Sequence, residues 1–162
     1  MARALIVGCG CRGRELGSHL AELGWQVRGT SRNHQGLEAI QAAGIEPAEA
    51  DPDRPGSVLD LCGDVAIVVW LLGSAGGEAD QIAAIHGPRL ERLLERLVDT
   101  PVRGFVYEAT GSAGTDQLGG GRRIVERAGE RWHIPTAFLE SGRDRPGWAV
   151  QAAGSVVALV TG

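Results

Sequence analysis

Lysine is absent from this chain of 162 residues: all sixteen of its Lys and Arg positions are arginine. The absence excludes a phosphate-binding loop that ends in Gly-Lys, a Schiff-base lysine and a lysine general acid. Aromatic residues are scarce too, and Tyr107 is the one tyrosine. A mechanism that pairs a phenol with a lysine ammonium group is therefore excluded within this chain.

Cysteine and excess positive charge are also in short supply. Three cysteines are too few for a disulfide framework, and the four histidines do not form a metal-ligand pattern, so we expect no metal site. The net charge of −4 argues against a nucleic-acid partner. The chain shows neither a leader pattern nor an apolar run of membrane-spanning length. We therefore expect a cytoplasmic protein with no membrane partner.

What the chain does have is glycine, and residues 4–17 carry the most informative arrangement of it. An apolar run enters a turn in which Gly8, Gly10 and Gly13 have the spacing G-x-G-x-x-G, and a helical pattern follows. Gly8 allows a tight turn, Gly10 lets a pyrophosphate approach the backbone, and Gly13 lets the helix pack against the sheet. The N–H groups at the helix start would then bind phosphate. The alternative is a tight turn without a ligand.

The end of the second predicted strand favours NADP(H) over NAD(H). An NAD site places an acidic residue there, about 20 residues beyond the turn, to bind the ribose 2′-hydroxyl. Here the window contains no acid but has Thr30, Ser31 and Arg32, which suit a 2′-phosphate. Arg12 in the turn is placed to reach the same phosphate. The alternative is that Arg32 is a solvated loop charge.

Three further residues complete the predicted cofactor contacts. Leu71 and Leu72 end the fourth predicted strand, and Cys11 lies in the glycine turn. As a thiol at a helix start, Cys11 is also a candidate for reactivity. We favour the simpler interpretation that Cys9 and Cys11 are small residues fitted to a crowded turn.

Strand and helix patterns alternate along the chain. After the first strand we expect strands over residues 25–30, 45–50, 64–72, 102–109, 135–140 and 156–160. Helices are expected over residues 15–23, 35–43, 56–62, 78–98 with a break near 86–88, and 122–132, and a glycine-rich loop over 110–121. The alternation predicts an α/β fold: a doubly wound, Rossmann-like parallel sheet of six to seven strands in a single domain over residues 1–162.

Several of these segments together resemble a known family. Residues 4–17, 27–32 and 44–47, together with residues 50–51, resemble the extended and atypical short-chain dehydrogenase/reductases, which are NAD(P)-binding and epimerase-like. Residues 102–107 resemble their fifth strand. The resemblance implies an oxidoreductase site built from serine, tyrosine and lysine, with the last two on a helix. The corresponding residues 118–126 contain neither tyrosine nor lysine. The family's usual proton transfer is therefore not supported.

Other residues are candidates for chemistry. The family's serine position falls at Ala109 or Thr110, with Ser112 slightly beyond, and Glu108 precedes them on the ligand-binding edge of the sheet. His86 follows the fourth strand and is a candidate acid or base, although we favour a helix-boundary role for it.

These observations predict an NADP(H)-binding protein with a degenerate short-chain-dehydrogenase-like site, acting as a nucleotide-binding or sensing module. The alternative is an NADPH-dependent oxidoreductase that acts on a small carbonyl substrate through non-standard proton donors. A weaker alternative is an interaction scaffold with an empty nucleotide site. Because about twenty residues follow the sixth strand, we expect any substrate pocket to come from loops or from a second subunit of a homodimer.

Overall fold

The computed structural model describes residues 2–161, and within them six strands form one parallel sheet. In chain order the strands are β1 (Arg3–Val7), β2 (Gln26–Ser31), β3 (Glu46–Glu49), β4 (Ile67–Trp70), β5 (Gly104–Glu108) and β6 (Thr136–Leu139). They lie side by side in the order β3-β2-β1-β4-β5-β6, and every neighbouring pair is parallel. The predicted doubly wound, Rossmann-like sheet is confirmed, with six strands.

Helices cover both faces of the sheet. In the described part of the chain they are α1 (Cys11–Glu22), α2 (His34–Ala42), α3 (Pro55–Leu59), α4 (Ala79–Ile85), α5 (Pro88–Leu97), α6 (Thr115–Trp132) and α7 (Trp148–Thr161). The predicted break between residues 78 and 98 is confirmed, since α4 ends before His86 and Pro88 starts α5. None of these helices combines the length and hydropathy needed to cross a bilayer.

The central strands separate two buried layers. Leu5 and Phe105 belong to the cluster covered by α5 and α6, whereas Ile6 and Val106 belong to the cluster covered by α1 and α7. Alternate side chains thus point to opposite faces of the sheet, and both faces are buried. This double burial explains why these strands have nearly continuous apolar sequences.

Two predicted segments were wrong. Residues 156–160 were expected to form a final strand but belong to helix α7, which buries Ala149, Ala152, Ala153 and Val156 at helical spacing and packs on α1. The predicted loop over residues 110–121 is also too long, because α6 already begins at Thr115. Tertiary packing outweighs the β-branched residues of the first segment and the glycines of the second.

Candidate functional site

A groove opens at the carboxyl ends of β1, β2 and β4, where the strand order reverses between β1 and β4. Ligands of open α/β sheets bind at such a switch point. The groove has a volume of about 330 Å³, and its walls come from the glycine turn, the ends of β2 and β3 and the loop after β4. We call it the central groove.

The glycine turn forms the floor of the central groove. Gly8 has φ +88°, and a Cβ there would lie 2.6 Å from the backbone oxygen of Leu71. A Cβ at Gly13 would lie 3.3 Å from the Gly8 oxygen, so helix and turn pack closely there. Gly10 differs, because a Cβ added to it would meet no atom within 4 Å. The space beside Gly10 is therefore open for a ligand.

Helix α1 begins directly after this open space. Its N-cap is Gly10, which has no side chain to accept a hydrogen bond from the first turn. The Arg14 N–H is bonded to the Gly10 oxygen at 2.8 Å. The backbone N–H groups of residues 11–13, in the first turn of the helix, precede this first intrahelical bond. They are therefore available to solvent or to a ligand.

Thr30 ties the glycine turn to β2. The Gly8 N–H donates to Thr30 Oγ1 at 3.3 Å, and the Cys9 N–H donates to the Thr30 backbone oxygen at 3.1 Å. Thr30 is only 2% exposed. Beside it, burial raises the pKa of the Cys9 thiol to about 12, so the thiol stays protonated. Thr30 and Cys9 therefore fix the shape of the turn.

The corner after β2 carries positive charge and no carboxylate. Ser31, Arg32 and Asn33 all line the central groove. Arg32 is exposed, and within residues 2–161 it forms no ion pair. Asn33 caps α2 by accepting from the Gly36 N–H at 2.8 Å. A Cβ on Gly36 would overlap Ser31 Oγ, so the helix approaches this corner closely.

Acidic groups lie one strand further out. Asp51, just beyond β3, lines the central groove and accepts a hydrogen bond from the Asp53 N–H at 2.9 Å. Asp53 pairs in turn with Arg89 at 3.0 Å. The end of β3, beside the corner that carries Arg32, thus offers carboxylate oxygen, which suits a ligand with amino groups.

At the ends of β4 and β5 the groove is bordered by an ion pair whose carboxylate is buried and whose guanidinium is partly exposed. Glu108, the last residue of β5, is fully buried, and Arg143 reaches it from the turn after β6 with two contacts of 2.7 Å. Arg143 also donates to the Leu71 backbone oxygen at 3.0 Å and lines the groove. The pair connects the ends of β4, β5 and β6.

Seven of the predicted cofactor residues meet in the central groove: Gly8, Gly10, Thr30, Ser31, Arg32, Leu71 and Leu72. Cys11, Arg12 and Gly13 belong to the same turn but do not line the groove. Arg12 is turned toward Glu15, with which it pairs at 2.8 Å, and Cys11 is exposed.

The candidates for chemistry are not brought into the groove. Thr110 and Ser112 lie in the loop after β5, where the Ser112 N–H donates to Ser74 Oγ at 3.1 Å. His86 is 2% exposed. It is the C-cap residue of α4, as the preferred helix-boundary interpretation expected.

His86 and Tyr107 form a buried pair. His86 Nδ1 lies 2.6 Å from the Tyr107 hydroxyl, and Nε2 lies 3.0 Å from the Leu72 backbone oxygen. Because a carbonyl can only accept, Nε2 carries the proton and Nδ1 accepts from the phenol. Burial lowers the pKa of His86 and raises that of Tyr107, which keeps both neutral. Neither residue lines the groove.

Sequence reasoning missed Arg14, Asp51 and Arg143 as groove residues. Arg14 follows Gly13 by one position and could have been found from the turn itself. Asp51 sits directly after a predicted strand, which is a usual place for a ligand contact. Arg143 could not be found from a sequence pattern, because its partner Glu108 lies 35 residues away along the chain. Among the described residues, no group of three or more His, Cys, Asp or Glu side chains is placed to hold a metal ion.

No protein-family model and no curated protein sequence matches the chain, but solved structures do. A metagenomic short-chain oxidoreductase in complex with NADP superposes with a TM-score of 0.71 at 19% identity, over 99% of this chain and 90% of that one. UDP-glucuronic acid 4-epimerase from Bacillus cereus, in complex with NAD, superposes with a TM-score of 0.68 at 16% identity, over 85% of this chain and 55% of the epimerase chain. Citrobacter sp. triphenylmethane reductase, complexed with NADP(H), superposes with a TM-score of 0.64 at 18% identity, over 85% of this chain and 49% of that one.

The chain thus spans about half the length of the epimerase and of the triphenylmethane reductase. At these identities the likeness establishes the fold. The parallel sheet with helices on both faces is thus a fold that the chain shares with a short-chain oxidoreductase, an epimerase and a reductase, whose structures contain NADP, NAD and NADP(H), respectively.

Proposed function

We propose that the protein binds NADP(H) in the central groove and serves as a nucleotide-binding or sensing module. The observation that carries the proposal is the continuity of this groove. The glycine turn, the acid-free corner after β2 and the end of β4 all line one cavity at the switch point of the sheet. The NADP and NADP(H) complexes of two structural neighbours agree with this choice of ligand.

The pyrophosphate would lie over Gly10. The space above this residue is open, and the first turn of α1 presents N–H groups toward it. Arg14 lines the same part of the groove and adds a positive charge. Backbone donors and a cation suit the two negative charges of a pyrophosphate.

The 2′-phosphate would lie at the corner after β2. Arg32 is exposed and has no competing carboxylate partner within residues 2–161, so its guanidinium is available. Ser31 contributes a hydroxyl beside it. The adenine amino group would then face the carboxylate of Asp51 at the end of the neighbouring strand β3.

Binding is favoured over the family's usual catalysis because the proton-transfer groups are elsewhere. The phenol of Tyr107 and the imidazole of His86 are buried against each other, and Thr110 and Ser112 lie outside the groove lining. The cytoplasmic location and the homodimer expected from the sequence stay predictions.

An NADPH-dependent oxidoreductase acting on a small carbonyl compound is the second candidate. It is favoured by the near full-length match to a metagenomic short-chain oxidoreductase in complex with NADP. Loss of the NADPH absorbance at 340 nm with a panel of aldehydes, ketones and quinones (the usual nicotinamide assay) would support this candidate over a pure binding module. Unchanged absorbance with every compound would leave binding as the function.

Calorimetric titration with NADPH and NADH tests the proposal. We expect tighter binding of NADPH, and Arg32→Ala should reduce its affinity about tenfold, the worth of one charge-assisted hydrogen bond. NADH affinity should hardly change. Arg103→Ala is the matched control, since Arg103 is exposed and precedes β5 at the opposite edge of the sheet. Equal affinities for the two dinucleotides, unaffected by Arg32→Ala, would remove the 2′-phosphate argument.

A further inference from the structure

Three of the five guanidinium donors of Arg143 are already committed. Nε donates to Glu108 Oε2 at 2.7 Å, and Nη2 donates to Glu108 Oε1 at 2.7 Å and to the Leu71 oxygen at 3.0 Å. Glu108 Oε1 also accepts from the Gly73 N–H at 2.7 Å. A guanidinium held at two nitrogens by a fork of this kind has one fixed orientation.

The remaining nitrogen, Nη1, is free. It has no hydrogen-bond partner within residues 2–161. In that range no buried side-chain nitrogen or oxygen lacks a partner, so Nη1 must reach solvent. Because Arg143 lines the central groove, its two free N–H groups are available to a ligand there.

Their position assigns them to one half of a bound dinucleotide. A doubly wound sheet binds the two mononucleotides of a dinucleotide on its two halves. Ser31 and Arg32 lie on the β1–β3 half, which we propose takes the adenosine 2′-phosphate. Arg143 lies across the ends of β4 and β5, where the nicotinamide nucleotide would follow.

The charge of the ion pair suits a nicotinamide. The ring is cationic when oxidised and neutral when reduced, so an isolated arginine would repel the oxidised form. Glu108 is fully buried and cancels the charge of Arg143. The pair therefore offers a fixed donor that tolerates both redox states.

We infer that Arg143 donates from Nη1 to the carboxamide oxygen of the nicotinamide, and that Glu108 is the positioning residue that orients and neutralises it. The inference rests on the proposed function, because it needs a bound NADP(H). It adds a contact that sequence reasoning did not find, and a reason for a buried carboxylate at the end of β5.

We would measure the affinities of the protein for three ligands: NADP+, NADPH and 2′-phospho-ADP-ribose. Because the third ligand lacks the nicotinamide, it reports on the rest of the site without the proposed Arg143 contact. Arg143→Lys keeps a cation for Glu108 but removes Nη1. It should weaken both dinucleotides about tenfold and leave 2′-phospho-ADP-ribose unchanged. Arg145→Lys, two residues along the same turn at an exposed position, is the matched control and should change none of the three.

Glu108→Gln tests the charge compensation. With Arg143 no longer neutralised, NADP+ should weaken about fivefold more than NADPH, because only the oxidised ring is cationic. The double variant Glu108→Gln/Arg143→Met has no charge in the pair and should restore the wild-type ratio of the two affinities. Thermal unfolding of each variant shows that the comparison uses folded protein.

Two results would overturn the inference while leaving the proposed function intact. One is an Arg143→Lys variant that binds both dinucleotides as tightly as the wild type. The other is a Glu108→Gln variant that weakens NADP+ and NADPH equally. A wild-type protein that binds none of the three ligands would instead refute the proposed function, and this inference with it.

Discussion

Replacing Gly10 by alanine should separate ligand binding from folding. Gly10 has φ −82° and ψ −157°, which is extended backbone open to any residue. A Cβ at this position meets no protein atom within 4 Å. The new methyl group would nevertheless stand where the pyrophosphate must approach the turn. Gly10→Ala should therefore fold normally and bind NADPH poorly.

The expected magnitudes follow from these contacts. Without a clash, the free energy of unfolding should stay within about 0.5 kcal/mol of the wild type or rise slightly, since alanine restricts the unfolded chain. Pushing the phosphate off the turn forfeits at least one charge-assisted hydrogen bond of about 1.5–3 kcal/mol, which is tenfold or more in affinity. Gly8→Ala should differ, because φ +88° and a 2.6 Å approach to the Leu71 oxygen make it destabilising.

Urea unfolding and NADPH calorimetry on the same samples measure both quantities. Gly63→Ala is the matched control, because a Cβ there also meets nothing within 4 Å and the residue precedes β4 at the far edge of the sheet. The control should keep both stability and affinity. A Gly10→Ala protein that binds NADPH as tightly as the wild type would refute the placement of the pyrophosphate on this turn.

Two further predictions concern the buried pair of His86 and Tyr107. In Gly121→Ala the new methyl overlaps the Tyr107 hydroxyl and should cost about 1–3 kcal/mol of unfolding free energy. Tyr107→Phe removes this hydroxyl but leaves His86 Nδ1 unpaired, so it is also destabilising alone, and the cost of Gly121→Ala should be smaller in the Tyr107→Phe background. Urea unfolding of the two single variants and the double variant measures this coupling, and strictly additive costs would contradict it. Burial lowers the pKa of His86 below its ordinary 6.5, so the unfolded chain binds that proton more tightly and stability should fall as pH drops below 6.5. Urea unfolding from pH 8 down to about 5 measures this, and a profile that His86→Gln leaves unchanged would contradict it.

The parts of the fold that were predictable have local signals. β4 and β5 are buried on both faces, so their sequences are almost entirely apolar and are recognised as inner strands. The glycine turn was predictable because close approach leaves no room for a side chain at Gly8.

The parts that were not predictable depend on distant contacts. The segment before the C-terminus is rich in valine and suggests a strand, but its alanines pack against α1 and make it a helix. The glycines near the start of α6 suggest a loop, yet Gly121 lies within the helix. A glycine is needed there because the Tyr107 side chain occupies the space that a Cβ would fill. The pairing of Arg143 with Glu108 joins residues 35 positions apart, which no periodic pattern reveals.

A crystal structure of the protein with NADPH would show directly where the dinucleotide binds. We predict the pyrophosphate above Gly10, the 2′-phosphate beside Arg32 and the carboxamide oxygen within hydrogen-bond distance of Arg143 Nη1. A dinucleotide bound outside the central groove, or bound in it with the nicotinamide at the β2 corner, would contradict this prediction.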